Sequence, residues 1–278
     1  MTGALYLVAT PLGNLADLSP RAAEVLAGAD AAYAEDTRHS RILLEHIGAG
    51  RRLHSLHEHN EKSRREEILA LLAAGKSVAL LSDAGTPALS DPGALLVAAA
   101  HAAGYRVSPI PGPSALAAAV SVAGFAQGAD DVLFVGFIPV RGKSRRAALE
   151  RIAAHRGQVV LYEGPHRLGS TLADLAELAP QREVCLCREL TKVHEEVRRC
   201  SVAELRDWSA GEVRGEVTLV LGPLAHEPQA PEEAAVDAAL GRCLDAGMSK
   251  RDAATAVAAV LQLSKREVYG RCQRLSGR

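Results

Sequence analysis

The stretch LYLVATPLGN, residues 5–14, decides how this chain folds, because an apolar run ends there in a Gly/Pro turn. The same pattern returns as VALLSDAGTP at residues 78–87. A short, continuous apolar run is typical of a parallel strand that is buried on both faces. Since ligands of open α/β sheets bind outside the carboxyl ends of such strands, both turns are predicted to border a small-molecule site.

The composition is that of a globular protein with an aliphatic core. The chain has 278 residues, of which 48% are hydrophobic and 3% aromatic, which is enough for about two domains. The formal net charge of -1 argues against bulk attraction to a polyanion, although a local basic patch stays compatible with it. Five cysteines without a C-x-x-C pair predict free thiols in a reducing compartment. The first basic residue is Arg21 and the longest uncharged apolar stretch is 114–126, so we expect a cytoplasmic protein without a membrane span.

Apolar runs alternate with helix-like segments along the chain, which predicts βαβ units and a mainly parallel sheet. Ser19-Pro20 and Asp91-Pro92 are each typical of a helix start. The breaker cluster PIPGP at 109–113 predicts a domain boundary, and the proline-rich stretch 222–231 predicts a linker. The expected fold class is α/β, with α/β domains at residues 1–111 and 112–223 and a helical appendage at residues 231–278.

Charged residues follow another predicted strand, in the stretch AEDTRHS at 34–40. Glu35 and Asp36 can position or deprotonate a hydroxyl group, and Arg38 can bind a phosphate. In the second Gly/Pro turn, Asp83 can accept hydrogen bonds from a hydroxyl or an amine. Neither turn is a P-loop or a G-x-G-x-x-G turn, so a phosphate cradle is not expected.

His54, His57 and His59 are spaced as H-x-x-H-x-H, which permits two interpretations. They are either metal ligands or polar contacts in a loop near the site. The spacing differs from that of a zincin helix and no cysteine is nearby, so no metal is predicted. A metal-dependent hydrolase stays an alternative that metal analysis of the protein would decide.

Two segments are basic in this nearly neutral chain. Residues 141–156 hold six basic residues against one acidic residue, and residues 241–278 hold eight against three. Such segments are either solvated faces or contacts for nucleic-acid phosphates, and two of them in one chain favour the second interpretation. The predicted RNA contacts are Arg38, Lys143, Arg145 and Arg146.

Taken in order, these motifs and several others resemble one family. The matching stretches are LYLVATPLGNL (5–15), AEDTR (34–38), LHEHNE (56–61), SDAGTP (82–87), PGPSA (111–115), FVGFIP (134–139), YE (162–163), RELTK (188–192) and GEV (215–217). The chain resembles the bacterial 16S ribosomal RNA (cytidine-2'-O)-methyltransferases, a family of the tetrapyrrole-methylase-like superfamily, over nearly its whole length. The resemblance implies two α/β domains, S-adenosylmethionine in the cleft between them, a homodimer, and 16S ribosomal RNA of the small ribosomal subunit as partner.

The resemblance also implies which residues bind S-adenosylmethionine. They are Pro11, Asp83, Ala84, Gly85, Thr86, Ser114, Ala115, Tyr162, Glu163, Leu190, Gly215, Glu216, Val217 and Thr218. This chain has TPLGN where the porphyrin-methylating branch has Gly-Pro-Gly-Asp, which disfavours a tetrapyrrole substrate but leaves it as an alternative. A binding module without turnover is a third alternative.

The implied reaction requires that the ribose 2'-oxygen lie in line with the methyl group, at about 3–3.5 Å, and lose its proton. A carboxylate or an imidazole can accept that proton. The predicted catalytic residues are Glu35, Asp36 and His57, with His59 beside them. The sequence does not choose among them.

Overall fold

The computed structural model describes residues 3–50, 52–57, 60–125, 131–224, 233–261 and 263–275, without the side chain of Leu275. The chain divides into two compact units, Met1–Leu224 and Ala225–Arg278. Most of the predicted linker lies outside the described residues. Within the described ranges, no helix combines the length and apolar character that a membrane span needs.

The larger unit begins with a parallel five-stranded sheet in the strand order β3-β2-β4-β1-β5. Its strands are β1 (Ala4–Val8), β2 (Ala31–Ala34), β3 (Leu53–Ser55), β4 (Ser77–Leu81) and β5 (Arg106–Ile110), and its helices are α1 (Pro20–Gly28), α2 (Thr37–His46), α3 (Glu61–Ala73) and α4 (Ala94–Ala102). Along β1, Leu5 and Leu7 pack in one aliphatic cluster, and Tyr6 and Val8 pack in another. Both faces of the strand are therefore covered, as its continuous apolar run predicts.

Prolines mark two places in this sheet layer where local chemistry decides the structure. Ser19 caps α1 by accepting a hydrogen bond from the Ala22 N–H at 3.1 Å, and Pro20 is the first helical residue, which confirms the predicted start. Pro109 lies inside β5, a strand that its position in the breaker cluster had concealed. Because β5 is an edge strand, the missing N–H of Pro109 is tolerated there.

The predicted start of α4 at Asp91-Pro92 is wrong. The helix begins at Ala94, and its N-cap is Gly93 with a φ of +119°. A Cβ on Gly93 would also lie 2.6 Å from the Leu80 side chain, so both the backbone angle and the available space favour glycine. Asp91 therefore belongs to the loop after β4, where its carboxylate is available for another role.

The second half of this unit contains a mixed sheet in the order β6-β7-β10-β8-β9. Its strands are β6 (Val132–Phe137), β7 (Gln158–Glu163), β8 (Glu183–Arg188), β9 (Glu196–Ser201) and β10 (Val217–Leu221), and its helices are α5 (Ala115–Ala123), α6 (Gly142–Ala154), α7 (Pro165–Leu178) and α8 (Val202–Trp208). Only β6 and β7 are parallel, and the other three pairings are antiparallel. The expectation of a mainly parallel sheet is therefore wrong for this half, because a short loop joins β8 to β9 where a parallel pair needs a long crossover.

Arg182, just before β8, is a buried brace of the second half. Its guanidinium donates to the carbonyls of Gly222, Ile152 and Gly157 at 2.7, 2.7 and 2.8 Å, and to that of Ala153 at 3.3 Å. Burial lowers the pKa of Arg182 to about 10, which leaves the group charged at neutral pH. One side chain thus ties together the ends of three separate segments.

The smaller unit consists, in its described part, of α9 (Glu233–Asp245), α10 (Lys250–Leu261) and α11 (Lys265–Leu275). It has its own apolar core, in which Leu240, Ala253 and Cys272 are fully buried. Arg271 of α11 forms ion pairs with Glu233 and Asp237 of α9. The three helices agree with the predicted helical appendage. The predicted domain limits (1–111, 112–223 and 231–278) stay predictions.

Candidate active site

The two Gly/Pro turns of the first sheet lie side by side at its carboxyl edge. Thr10 and Gly85 exchange backbone hydrogen bonds with N···O distances of 2.9 and 3.0 Å. The Thr10 hydroxyl donates to the Ser82 carbonyl at 3.0 Å, and the Ser82 hydroxyl donates to the Gly85 carbonyl at 2.6 Å. The protein itself therefore fixes the two turns to each other, so this edge of the sheet is built before any ligand arrives.

The third turn, PGPSA, closes onto the first two. The Thr86 hydroxyl donates to the Pro113 carbonyl at 3.3 Å. A Cβ on Gly112 would lie 3.0 Å from the Cβ of Ala9, so the backbone approaches as closely as glycine allows. Three turns that are far apart in sequence thus share one small region.

Gly85 lies at the centre of this region, with a φ of +85°. A Cβ on Gly85 would lie 3.3 Å from the Leu12 side chain and 3.8 Å from the Pro113 carbonyl oxygen. The turns therefore enclose a narrow cradle of backbone that one added carbon atom begins to fill. Such a cradle suits a ligand held by main-chain groups.

The second sheet presents its own set of predicted residues at one edge. Val217, the first residue of β10, is in register with both Glu163 and Arg188. The Glu189 N–H donates to the Glu216 carbonyl at 3.0 Å, and the Glu216 N–H donates to the Glu189 carboxylate at 2.9 Å. Three motifs that resemble the family are thus neighbours in space.

Lys192 connects this edge with the first Gly/Pro turn. Its ammonium group lies 2.9 Å from the Glu189 carboxylate and 3.0 Å from that of Glu216. Its alkyl chain covers Gly13, where an added Cβ would lie only 2.2 Å from the Lys192 Cγ. The two halves of the unit therefore meet beside the cradle.

Backbone strain is concentrated in two loops, one after β4 and one after β8. Within the described ranges, the non-glycine residues with positive φ are Ala88 (64°), Ser90 (66°), Glu189 (51°) and Thr191 (68°). A Cβ on Gly136, at the bulge in β6, would lie 2.6 Å from the Ser90 hydroxyl oxygen. Strained residues of this kind cluster at functional sites, where the surrounding structure holds them in place.

A cavity of about 600 Å³ opens between the two halves. The first half contributes Glu35, His57, Glu61 and Asp91 to its lining, and the second half contributes Val135 and Phe137. Four titratable side chains thus share one cleft with apolar side chains from both halves. Two of the three predicted catalytic residues, Glu35 and His57, are among them.

Asp91 is a functional candidate that the sequence analysis missed. Burial raises its pKa to about 7, and the negative charges of Glu35 and Asp83 add to the rise. A carboxylate with a pKa near neutrality is suited to accept a proton at physiological pH. Asp-Pro is typical of a helix start, and this pattern concealed the residue.

Asp36 is occupied differently from its neighbour Glu35. Its carboxylate caps α2 by accepting the Arg38 N–H at 2.8 Å, and it pairs with the Arg38 guanidinium at 2.7 Å. These bonds hold the pKa of Asp36 well below its usual range. A carboxylate with so low a pKa accepts a proton poorly. The backbone N–H of Asp36 donates to the Asp83 carboxylate at 2.9 Å, and this bond joins the ends of β2 and β4.

The histidines take separate positions. The His57 N–H donates to the Asn60 side chain at 2.8 Å, which fixes the start of the following loop. The His54 ring stacks on Tyr33 with a centroid distance of 5.1 Å. His59 lies outside the described residues. Within the described part of the chain, no group of three or more potential ligands is arranged to hold a metal ion.

Glu163, a predicted cofactor residue, is fully engaged by its own half of the unit. Its buried carboxylate accepts hydrogen bonds from the Gly164 N–H at 2.9 Å and the Thr171 hydroxyl at 2.6 Å, and it pairs with Arg167 at 3.1 Å. Its side chain therefore fixes the end of β7.

Tyr162 lies where the third turn, the second sheet and the cavity come together. Burial raises the pKa of its hydroxyl, a backbone hydrogen bond at Leu116 opposes the rise, and Asp91 adds to it. Its ring makes edge contacts with Phe134 and Phe137, with centroid distances of 5.1 and 5.7 Å. Tyr162 thus links the predicted cofactor turn to the acidic cleft.

The remaining predicted cofactor residues divide between the two edges described above. Those in or beside the three turns are Pro11, Asp83, Ala84, Thr86, Ser114 and Ala115, and those on the second half are Leu190, Gly215, Glu216, Val217 and Thr218. Leu190 packs against the apolar cluster under α5, and Thr218 is buried in β10. The structure therefore brings these residues to two facing edges.

The predicted RNA contacts on α6 differ in availability. The Arg145 side chain is only 11% exposed and pairs with Asp174 at 2.7 Å. Lys143 is exposed, and Arg146 is exposed with Glu150 as a surface partner at 2.9 Å. The side chain of Arg38 is 90% exposed. Within this basic segment, Arg145 is therefore held by an ion pair inside the fold, whereas Lys143 and Arg146 lie at the surface.

Comparisons with known proteins give a consistent result. The sequence profile of the family described as Tetrapyrrole (Corrin/Porphyrin) Methylases matches residues 4–206. A protein named Ribosomal RNA small subunit methyltransferase I from Escherichia coli O157:H7 is 42% identical, over 96% of this chain and 93% of that protein. The protein of the same name from Pseudomonas aeruginosa is 41% identical, over 99% of both. A structure of Uroporphyrin-III C-methyl transferase from Thermus thermophilus complexed with S-adenyl homocysteine is similar in fold, with a TM-score of 0.58 at 19% identity over 79% of this chain and 97% of that one.

Proposed function

The chain belongs to the family of tetrapyrrole (corrin/porphyrin) methylases, and from this membership we propose how its site works. The protein is an S-adenosylmethionine-dependent methyltransferase that methylates the ribose 2'-oxygen of a cytidine in 16S ribosomal RNA. The observation that carries this conclusion is the identity of 42% and 41%, over 96% and 99% of the chain, to ribosomal RNA small subunit methyltransferases. The uroporphyrin enzyme shares only the fold.

The backbone cradle around Gly85 fits S-adenosylmethionine. The cofactor carries no phosphate, which agrees with turns that lack a phosphate loop, and main-chain groups can bind its polar ends. When bound, it supplies a methyl group that its positive sulfur activates. The residues that would hold it lie in the three turns, at Pro11, Gly85 and Ser114, and on the edge of the second sheet, at Leu190 and Val217. Carbonyls in such turns can also make weak C–H···O contacts with the methyl group.

Replacing Gly85 by alanine is expected to weaken S-adenosylmethionine binding by about tenfold or more. The added Cβ meets Leu12 at 3.3 Å, and the φ of +85° is strained for any side chain. Calorimetric titration of the purified variant measures the effect. Gly169→Ala is the matched control, because an added Cβ meets nothing within 4 Å there. An unchanged dissociation constant for Gly85→Ala would remove the cradle from the cofactor site.

Asp91 is the side chain that we assign to the proton of the ribose hydroxyl. It lines the cavity, and its pKa of about 7 lets the carboxylate accept a proton at neutral pH. Glu35 and His57 line the same cavity and stay candidates to orient the hydroxyl. Asp36 acts in this proposal as the cap that shapes the loop, because its carboxylate is already paired with Arg38.

The RNA backbone is assigned to exposed cations near the cleft. Lys143 and Arg146 lie on α6, six and nine residues after the cavity residue Phe137, and Arg38 follows Glu35 closely in sequence. Arg145 positions α6 through Asp174. The partner is the small ribosomal subunit, and we expect a homodimer that works in the cytoplasm.

The reaction is tested by mass spectrometry of ribosomal RNA. Small ribosomal subunits that lack the methyl group are incubated with the protein and isotope-labelled S-adenosylmethionine, and the RNA is then digested to nucleosides. Label in 2'-O-methylcytidine is the expected result. Label in an added uroporphyrinogen instead of the RNA would contradict the assignment.

A further inference from the structure

Glu61 is a carboxylate that the cofactor site does not explain. It is the first residue of α3, it is 9% exposed, and it lines the acidic cavity. Its Oε1 is buried and has no hydrogen-bond partner among the residues that the structure describes. A negative charge near a helix N-terminus is favourable, but an exposed carboxylate would provide that benefit equally well. A buried, unsatisfied oxygen is costly, and its position in a cavity indicates a partner that arrives from outside.

Phe137 gives the same cavity an apolar surface. It is the last residue of β6 and is 57% exposed, which is unusual for a large aromatic side chain. The edge contact with Tyr162, at 5.7 Å between centroids, holds the ring in place. An exposed aromatic ring on a rigid strand end is a surface on which a nucleic-acid base can stack.

The size and charge of the cavity restrict what enters it. A volume of about 600 Å³ is in the range of small-molecule sites and accommodates a nucleoside. Glu35, Glu61 and Asp91 together repel a phosphate, so the group that enters is neutral and carries hydrogen-bond donors. Cytosine meets this requirement because its exocyclic amine can donate a hydrogen bond to a carboxylate. Uracil instead presents a carbonyl oxygen at that position.

We propose that this cavity receives the target base itself, that Phe137 stacks on it, and that the Glu61 carboxylate turns into the cavity and accepts a hydrogen bond from the exocyclic amine, which selects cytosine over uracil. The proposal rests on the proposed function and adds the origin of its base specificity. The base must leave its stack to reach the cavity, as in other enzymes that modify nucleotides. Glu61 is thus a specificity-determining residue, separate from the proton acceptor.

The test is a change in specificity, which unfolding cannot imitate. Two forms of the small subunit are prepared, one with the target cytidine and one with uridine at that position, and each is methylated with labelled S-adenosylmethionine. The wild-type protein is expected to prefer cytidine by about 10- to 100-fold in kcat/KM. In Glu61→Gln the amide can rotate to donate to the uracil carbonyl, so this ratio is expected to fall at least tenfold.

Controls separate the possible outcomes. Glu66→Gln, on an exposed position of the same helix, is expected to keep the wild-type ratio. Glu61→Asp keeps the charge, so it is expected to retain the preference for cytidine at a lower rate, which keeps the test valid if Glu61→Gln folds poorly. Phe137→Leu is expected to raise the KM for the subunit about tenfold without changing cofactor affinity. An unchanged cytidine-to-uridine ratio in Glu61→Gln overturns the inference, whereas wild-type protein that methylates neither subunit overturns the proposed function.

Discussion

Replacing Asp91 by asparagine is expected to lower kcat by about 10²- to 10⁴-fold, the usual contribution of a general base. Asparagine has nearly the same shape but cannot accept the proton of the ribose hydroxyl. Because Asp91 lines the cavity and is not one of the residues assigned to the cofactor, the affinity for S-adenosylmethionine is expected to change little. Single-turnover methylation of small subunits measures the rate, and calorimetry measures the cofactor affinity.

The pH dependence gives a second and independent readout for Asp91. The pKa of Asp91 is raised to about 7. Burial is the largest cause, and the negative charges of Glu35 and Asp83 add to it. The reaction needs the carboxylate, so kcat/KM is expected to fall about tenfold per pH unit below 7 and to level off above it. Glu35→Gln removes one of the two negative charges and is expected to shift this limb to lower pH. A profile that is flat between pH 5 and 8 would contradict the role of Asp91.

The ionised Asp91 carboxylate is expected to reduce the stability of the folded protein at alkaline pH. Its pKa rises from an ordinary 3.8 to about 7 on folding, so the folded state binds the proton more tightly. The stabilising contribution of the protonated form is present below about pH 4 and is lost as the pH rises through 7. Asp91→Asn is therefore expected to raise the melting temperature at pH 8 while activity falls, whereas the exposed Asp207→Asn should change neither. A variant that keeps full kcat would leave Glu35 and His57 as candidates.

The edge of the sheet that carries the site could be predicted from sequence, because strand polarity alone places the turns. The apolar runs at 5–9 and 78–81 fix two parallel strands, so the residues after them must share one edge. The role of Asp91 could not be predicted in this way. Its pKa depends on Glu35 and Asp83, which follow other strands, and on burial that only the packed loop creates.

Identical letters also acquire different roles through distant partners. Arg145 and Arg146 are adjacent in one basic run, but Arg145 pairs with Asp174, 29 residues away, whereas Arg146 pairs with Glu150 at the surface. β9, like β3 and β5, was not predicted, because its sequence, EVRRCS, lacks the apolar run that marks the buried strands. Local patterns thus predicted the buried strands, and tertiary partners decided which charged groups are free to act.

Arg182 is another charged residue whose role depends on distant partners, and its replacement is expected to have the largest effect on stability. Replacing it by methionine is expected to lower the free energy of unfolding by about 3–5 kcal/mol, because several buried carbonyls lose their donor at once. Lysine is not a substitute, since one ammonium group cannot span acceptors as far apart as Ile152, Gly157 and Gly222. For a unit of this size, the loss corresponds to a fall of roughly 6–20 °C in Tm.

The single tryptophan lets the loss of stability be measured in the larger unit, which contains Arg182. Trp208 is the only tryptophan of the chain, and it packs against the same apolar cluster as the second sheet. Its fluorescence during urea unfolding therefore follows the larger unit without interference from the C-terminal helices. Arg206→Met is the control, because Arg206 is 46% exposed and its ion pair is with Asp207, an exposed contact expected to contribute less than about 1 kcal/mol. Equal unfolding midpoints for Arg182→Met and Arg206→Met would mean that water replaces the guanidinium at the carbonyls, and that Arg182 is not the brace of this half.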